Sequence, residues 1–405
     1  MAFADRRSTD EHIREAEAWS AHNYHPLPVV LSHGEGVWVW DVEGRRYLDM
    51  LSAYSALNQG HRHPAILEAL REQADRITLT SRAFHNDRMG PFLRRLCETV
   101  GYDRALPMNT GVEAVETAIK MVRRWGYRTK GVPQDEAEIV VCEGNFHGRT
   151  TTVVGFSSSA EARDGFGPFS KGFRTVPYGD VDALRAAVGP NTVGFLVEPI
   201  QGEGGVVVPP EGYLREAREI CDRAGVALVV DEIQTGLGRT GKLLASQWEG
   251  VRPDVVTLGK ALGGGVYPVS AALADEAFMD VFEPGSHGST FGGNPLASAV
   301  GEASLRVLED EGLPDRAHEL GERMMDHLRS LNSPHVEEVR GRGLLVGVVI
   351  REASGTARKF CNRLQERGIL AKETKQQVIR FAPPLVIEPE ILDEALDSIA
   401  EVLKG

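Results

Sequence analysis

The chain has 405 residues, 42% hydrophobic and 25% charged, the balance of a globular protein long enough for two or three domains. A net charge of −13 argues against nucleic acid as the main partner, because phosphate backbones demand clustered Lys and Arg. The four cysteines, Cys97, Cys142, Cys221 and Cys361, form no C-x-x-C pair, which fits reduced thiols better than a disulfide framework or a zinc site.

The opening residues, "MAFADRRSTDEH", have no apolar stretch and carry acids early, unlike a signal or transit peptide. No apolar run approaches the ~20 residues of a membrane span, so the expectation is a soluble, cytoplasmic protein with no membrane partner. Residues 10–20 read as helix. "GVWVWDVEGRRYLDML" (36–51) reads as a small antiparallel hairpin around Asp-Val-Glu-Gly. From about residue 64, helices such as "PAILEALREQADRI" alternate with the short apolar runs "EIVVCEG", "TVGFLVEPI", "GVALVVDE", "DVVTLGKA" and "VSAALA". Continuous Val/Leu/Ile runs between helices predict an α/β fold, with a mostly parallel sheet covered on both faces. From about residue 300 the pattern becomes helix, strand "RGLLVGVVI", helix "ARKFCNRLQERG", further strands and a last helix "ILDEALDSIAEVL", a second α+β unit. The expected division is an N-terminal segment 1–60 packing with a small domain 301–405, and a large domain 61–300.

The stretch "ALVVDEIQTGLGRTGKL" (227–243) imitates two nucleotide sites. Gly236 to Lys242 fits G-x-x-x-x-G-K, but Leu243 stands where a magnesium-binding hydroxyl is needed, and the acidic strand end precedes the loop by only four residues. Gly236 to Gly241 fits G-x-G-x-x-G, but the glycines do not follow directly on the strand, as approach to a pyrophosphate requires. A glycine-rich surface loop is the better reading. Asp231 then stands unexplained at the end of an apolar run, where a buried carboxylate needs a partner. Lys260 in "DVVTLGKALGGG" follows another apolar strand, with no carboxylate between Asp254 and Asp275. A lysine kept from water has a depressed pKa and can form a Schiff base. Both residues fall at carboxyl ends of successive parallel strands, where open α/β sheets bind ligands. A buried acid with such a lysine is the pairing that pyridoxal phosphate uses. That cofactor also needs N–H donors at a helix start, which Thr110-Gly111-Val112 supply ahead of the helical spacing Val115, Ile119, Val122. Phe146, after "EIVVCEG", could stack on its ring. Taken alone, Phe146 reads as a core residue and Gly111 as a turn glycine.

With these residues in this order, the chain resembles the class III (fold type I) pyridoxal-phosphate aminotransferases. The resemblance runs from "NYHPLPVV" to "IRFAPPLVI" and is carried by "VVDEIQTGLGRTGK…PDVVTLGKALGGG". It implies a large, mostly parallel-sheet domain, a smaller α+β domain formed by both ends of the chain, and pyridoxal 5'-phosphate as cofactor. Lys260 resembles the Schiff-base lysine, Asp231 the partner of the pyridinium nitrogen, and Gln234 the residue touching the phenolic oxygen. Gly111 and Val112 resemble the phosphate-binding turn, and Phe146 the stacking aromatic. Thr290 in "HGSTFGGNPLAS" resembles a hydroxyl reaching the phosphate across a subunit boundary. A homodimer with shared active sites, or a larger oligomer, is therefore implied.

Within the family, further residues resemble the branch that moves the δ-amine of L-ornithine to 2-oxoglutarate, in proline or arginine metabolism. Tyr24 and Arg149 resemble the groups holding the α-amino and α-carboxylate end. Tyr54 resembles a substrate-pocket tyrosine, Arg380 the arginine that takes an α-carboxylate, and Glu203 the acid that masks it. Branches acting on acetylornithine or 4-aminobutyrate would use the same catalytic core, and a non-catalytic oligomer is disfavoured because no core catalytic residue is missing. His147 departs from the animal enzymes, which carry Trp there; the expectation is an altered pocket shape. His61 and His63 in "GHRHP" read as a turn, and Glu198 in "LVEPI" as either support for the site or a strand cap.

Overall fold

The computed structural model describes residues 7–405. The reading of the chain's opening as no leader rests partly on residues 1–6, which lie outside the described residues. A helix, Thr9–Trp19, begins on a capping box in which Glu11 reaches back to the Ser8 N–H at 2.7 Å. An antiparallel meander follows: β1 (Leu31–Glu35), β2 (Trp38–Asp41) and β3 (Arg46–Asp49). β1 went unpredicted because "LSHGE" is almost wholly exposed and carries no apolar alternation.

The large sheet takes β4 (Arg104–Met108), β5 (Glu138–Cys142), β6 (Phe173–Val176), β7 (Thr192–Val197), β8 (Ala227–Asp231), β9 (Val255–Leu258) and β10 (Ser270–Ala274). Their spatial order is β4-β10-β9-β8-β7-β5-β6. β7 to β10 are buried at every residue, the consequence of cover on both faces. Side-chain alternation divides each strand between two cores. Val229 and Val255 join Val115, Ile119 and Val122 of helix Gly111–Trp125 on one face. Leu228 and Val230 join Leu214, Ala217 and Ile220 of helix Tyr213–Ala224 on the other.

The sheet is parallel from β6 to β9, but β10 runs antiparallel to both β9 and β4. A parallel return needs a crossover of roughly a dozen residues or more, usually a helix. Residues 259–269 contain only the 3₁₀ turn Lys260–Gly263, so the chain reverses instead. The parallel pairing of β8 and β9, with Asp231 opposite Thr257, puts Lys260, just past β9, at the same sheet edge as Asp231.

The remaining strands are β11 (Val336–Arg342), β12 (Leu345–Ile350), β13 (Ile369–Leu370), β14 (Lys372–Thr374) and β15 (Val378–Phe381). They form an antiparallel sheet β11-β12-β15-β14, while β13 pairs in parallel with β3 and so joins the two ends of the chain. Helices Ala357–Glu366 and Pro389–Lys404 cover this unit. Among the described residues no helix is long and apolar enough to cross a membrane, all four cysteines are free, and no group of His, Cys, Asp or Glu could hold a metal ion.

Candidate active site

Beyond the carboxyl ends of β7, β8 and β9 lies a cavity of about 250 Å³, lined by Gly111, Val112, Phe146, Glu198, Asp231, Gln234 and Lys260. Asp231 ends β8 and is 5% exposed. Its Oδ1 accepts from the Ile233 N–H and the Thr257 hydroxyl, both at 3.1 Å, and its Oδ2 is 2.7 Å from His147 Nδ1. His147 is fully buried. Burial works against its charged form, but the hydrogen bond and charge of Asp231 outweigh burial and raise its pKa above the ordinary value. Sequence reasoning treated His147 only as a departure in pocket shape. Its adjacency to Phe146 was the sole signal.

Glu198 directly follows β7 and accepts the Phe146 N–H at 2.9 Å, which fixes the backbone of the aromatic. Burial pushes its carboxyl up to about 7, with His147 opposing and Asp231 adding to the rise. Lys260 follows β9 with φ +44°, a left-handed conformation that costs a side-chain-bearing residue energy. Burial lowers the pKa of its amine, against the opposing charges of Glu203 and Asp231. No hydrogen bond holds Nζ among the described residues.

At the start of helix Gly111–Trp125, the Thr110 N–H and hydroxyl both go to Glu113, at 2.6 and 2.9 Å, in a capping box. Thr110 does not line the cavity. The N–H groups of Gly111 and Val112 find no acceptor among the described residues, which leaves two donors at the positive end of a 15-residue helix. A Cβ on Gly111 would sit 3.0 Å from Ile233, so the close approach needs glycine. Gln234 donates to Glu203 at 3.2 Å, while its buried Oε1 has no partner. Together these groups suit pyridoxal phosphate: free N–H donors for a phosphate, an aromatic for a ring face, a buried acid and amine, and an orphaned amide oxygen.

A second cavity, about 180 Å³, adjoins the first across Phe146 and His147 and is lined by Arg149, Glu203, Thr374 and Lys375. The Arg149 guanidinium lies 5.7 Å from the Phe146 ring centre. Arg380, on β15 and 1% exposed, pairs with Glu203 at 2.5 Å and lies 5.1 Å from the Tyr54 ring centre. Burial would raise the Glu203 carboxyl, but Arg380 outweighs it and the pKa falls. Burial raises the Tyr54 phenol, with contributions from Glu203 and Tyr24. Tyr24 itself is 69% exposed, Thr290 is exposed, and neither lines either cavity.

The glycine-rich loop after Asp231, expected at the surface, is instead buried throughout 236–241, because it packs against the C-terminal helices and strands. Cβ atoms on Gly238 and Gly241 would meet Leu308 and Leu385 at 3.1–3.2 Å and His318 at 2.9 Å, so no pyrophosphate fits there. Its fully buried Arg239 donates to Asn58 Oδ1 at 2.6 Å, Leu344 O at 2.9 Å and Pro383 O at 2.6 Å. Burial lowers its pKa to about 9. The loop fastens both ends of the chain to the large sheet. His61 and His63, read from sequence as a turn without carboxylates, pair with Asp49 at 2.8 Å and Glu311 at 2.9 Å.

The aminotransferase class-III family model matches residues 19–403. The ornithine aminotransferase of Brevibacillus brevis is 59% identical over 391 residues, 96% of this chain and 97% of that protein. That of Bacillus subtilis is 58% identical over 395 residues, 98% of each. Among solved structures, the ornithine aminotransferase of Toxoplasma gondii, described with partial occupancy of PLP at its active site, aligns with TM-score 0.97 at 46% identity. That alignment covers 99% of this chain and 95% of that one. An acetylornithine aminotransferase from Elizabethkingia anophelis matches at TM-score 0.89 and 46% identity, covering 98% and 99%.

Proposed function

From the class-III aminotransferases, the family of pyridoxal-phosphate enzymes to which this chain belongs, we propose the finer assignment: transfer of the δ-amino group of L-ornithine to 2-oxoglutarate. The products are glutamate 5-semialdehyde and glutamate. The observation that carries the substrate is the Glu203–Arg380 pair beside Arg149 and Tyr54.

Gly111 and Val112 would hold the cofactor's phosphate, Phe146 would stack on its ring, Asp231 would partner the ring nitrogen and Gln234 the phenolic oxygen. The bound cofactor supplies the electron sink that lets a carbon–hydrogen bond beside the amine ionise. Lys260, whose depressed pKa favours the neutral amine, takes the proton from the δ-carbon as base and, as acid, would deliver it to the cofactor carbon that receives the amine. His147 holds Asp231 in place through its 2.7 Å contact with Oδ2.

Glu203 neutralises Arg380 while ornithine is present, so the α-carboxylate does not go to Arg380. Arg149 and Tyr24 hold that end instead, and the δ-amine points inward. When 2-oxoglutarate arrives, its carboxylate displaces Glu203 and takes Arg380 in a two-pronged, charge-assisted pair. Thr290, exposed on its own chain, serves the phosphate site of the second subunit in a homodimer. The setting proposed is the cytoplasm.

The test is the visible spectrum of the cofactor-loaded protein under single-turnover conditions. L-ornithine should bleach the cofactor band far faster than N-acetylornithine or 4-aminobutyrate. Faster bleaching by either of those would keep the family and overturn the substrate.

A further inference from the structure

Four consecutive residues that are not glycine, Ser52, Ala53, Tyr54 and Ser55, have φ of +51°, +46°, +63° and +71°. This is a left-handed turn, unfavourable for every residue with a Cβ and normally adopted by single Gly, Asn or Asp residues. Something must hold it. The hydroxyls of Ser52 and Ser55 are buried without a hydrogen-bond partner, so they do not. Backbone bonds from Ser55 to Leu51 O and from Ala56 to Ser52 O, at 3.3 and 2.7 Å, close the turn, and Asp49 Oδ1 fixes its entry, accepting the Leu51 and Ser52 N–H groups at 2.9 and 2.8 Å.

The other oxygen of Asp49 is 2.8 Å from His61 Nε2. His61 is itself fixed. Its backbone exchanges hydrogen bonds with Gly36 at 3.0 and 2.7 Å, and its ring lies so close to Gly34 that a Cβ there would come within 2.9 Å of Nδ1. The segment that contains the turn is also pinned at both ends to the chain just beyond Arg380. Ala382 donates to Met50 O at 2.7 Å, and Leu385 donates to Asn58 O at 2.8 Å. With the ends pinned, the hand of the turn decides which way Tyr54 projects. The left-handed turn places its ring 5.1 Å from the Arg380 guanidinium.

We propose that Asp49 and His61 are positioning residues for carboxylate recognition, holding the turn 52–55 in its left-handed form so that the Tyr54 ring steadies Arg380 when Glu203 leaves it. The inference rests on Arg380 being the carboxylate acceptor. The ring face attracts the guanidinium directly, and that attraction remains after the carboxylate partner has moved. Asp49 touches no substrate; it acts through backbone N–H groups, and His61 acts through Asp49.

The experiment measures glutarate, an unreactive dicarboxylate, binding to the cofactor-loaded enzyme by titration calorimetry, alongside the KM for 2-oxoglutarate and the rate of the L-ornithine half-reaction. Asp49→Ala and His61→Leu should weaken glutarate and raise the KM by about fivefold, the size of one cation–π contact, and slow the ornithine half-reaction by less than that, since ornithine does not use Arg380. Adding Ala53→Gly to Asp49→Ala should recover part of the binding, because glycine adopts the left-handed backbone without penalty. Wild-type glutarate affinity in both single variants, with Arg380→Gln still weakened, would overturn the proposal and keep the acceptor. Wild-type affinity in Arg380→Gln would remove the acceptor itself, and the proposal with it. If Asp49→Ala does not fold, His61→Leu decides alone. Ala53→Gly in the wild-type background should hold or raise the melting temperature, and a fall of several degrees would also overturn the strained turn.

Discussion

At the floor of the cavity, Asp231, His147 and Glu198 are buried and bonded to one another or to backbone, and each is set by a strand end or its immediate neighbour. At the mouth, Arg149 is exposed, and the tight contact Glu203–Arg380 joins two charges that a substrate carboxylate could part. The floor is preorganised and leaves little to rearrange. The mouth rests on a charge pair that the proposed mechanism opens and recloses. A reaction that keeps one cofactor but accepts two different substrates in turn calls for that division: fixed electrostatics below and adjustable recognition above.

The sharpest break of this comparison comes from the floor. Lys260→Ala should reduce turnover by at least about 10⁴-fold, because both proton movements lose their carrier. The variant should still fold and melt within a few degrees of wild type, since Nζ holds no hydrogen bond that folding would lose. Steady-state transamination of L-ornithine with 2-oxoglutarate, together with a thermal melt, checks both halves. Turnover within tenfold of wild type would take the proton away from Lys260.

At the mouth, the expected effect is smaller and differs in kind. Glu203→Ala unmasks Arg380, so the ornithine α-carboxylate gains a second place to bind and the α-amine is presented more often. The ratio of α- to δ-amine transfer should rise by about 10- to 100-fold, the worth of one charge-assisted pair, with total turnover reduced less than in Lys260→Ala. Product analysis measures the ratio directly. An unchanged ratio would mean that Arg380 is not switched by Glu203.

The same division governs what could be read from the sequence. Asp231 and Lys260 were legible because each ends an apolar strand, and an apolar run states where a strand stops. Gly111, Val112 and Phe146 were legible because turn and helix signals lie beside them. The partners were not. His147 and Asp231 are 84 residues apart, and the Arg239–Asn58 contact spans 181. Nothing in either local pattern marks such pairs, since they are fixed by how elements dock. Thr110 lies beside the phosphate turn, but Glu113, three residues on in the capping box, takes both its N–H and its hydroxyl, a pairing that the turn signal does not reveal. The expectation of a mostly parallel sheet does not single out β10 as the reversed strand, because burial on both faces gives the same apolar run in either direction. Only the short connection from Lys260 reveals the reversal. Tyr24 and Thr290 rested on resemblance alone, and the structure of one chain leaves both outside the cavities.

The smallest effect tests how closed the floor is. Glu198 holds its proton to about pH 7 in the folded protein, against an ordinary value of 4.5, chiefly because burial penalises the charge. Below about pH 4.5 it is neutral in both folded and unfolded chains and costs nothing. Between about 4.5 and 7 the unfolded chain releases the proton while the folded one retains it, so stability falls as pH rises. Above about 7 both forms are ionised and the full cost, on the order of 3 kcal/mol, is in place. Glu198→Gln can still accept the Phe146 N–H but never ionises, so it escapes this cost. Its melting temperature should track wild type near pH 4.5, gain a few degrees on it by pH 7, and keep a constant lead above that. A lead that does not change between pH 4.5 and 7 would show that water reaches Glu198, and the contrast between a sealed floor and an open mouth would lose its clearest member.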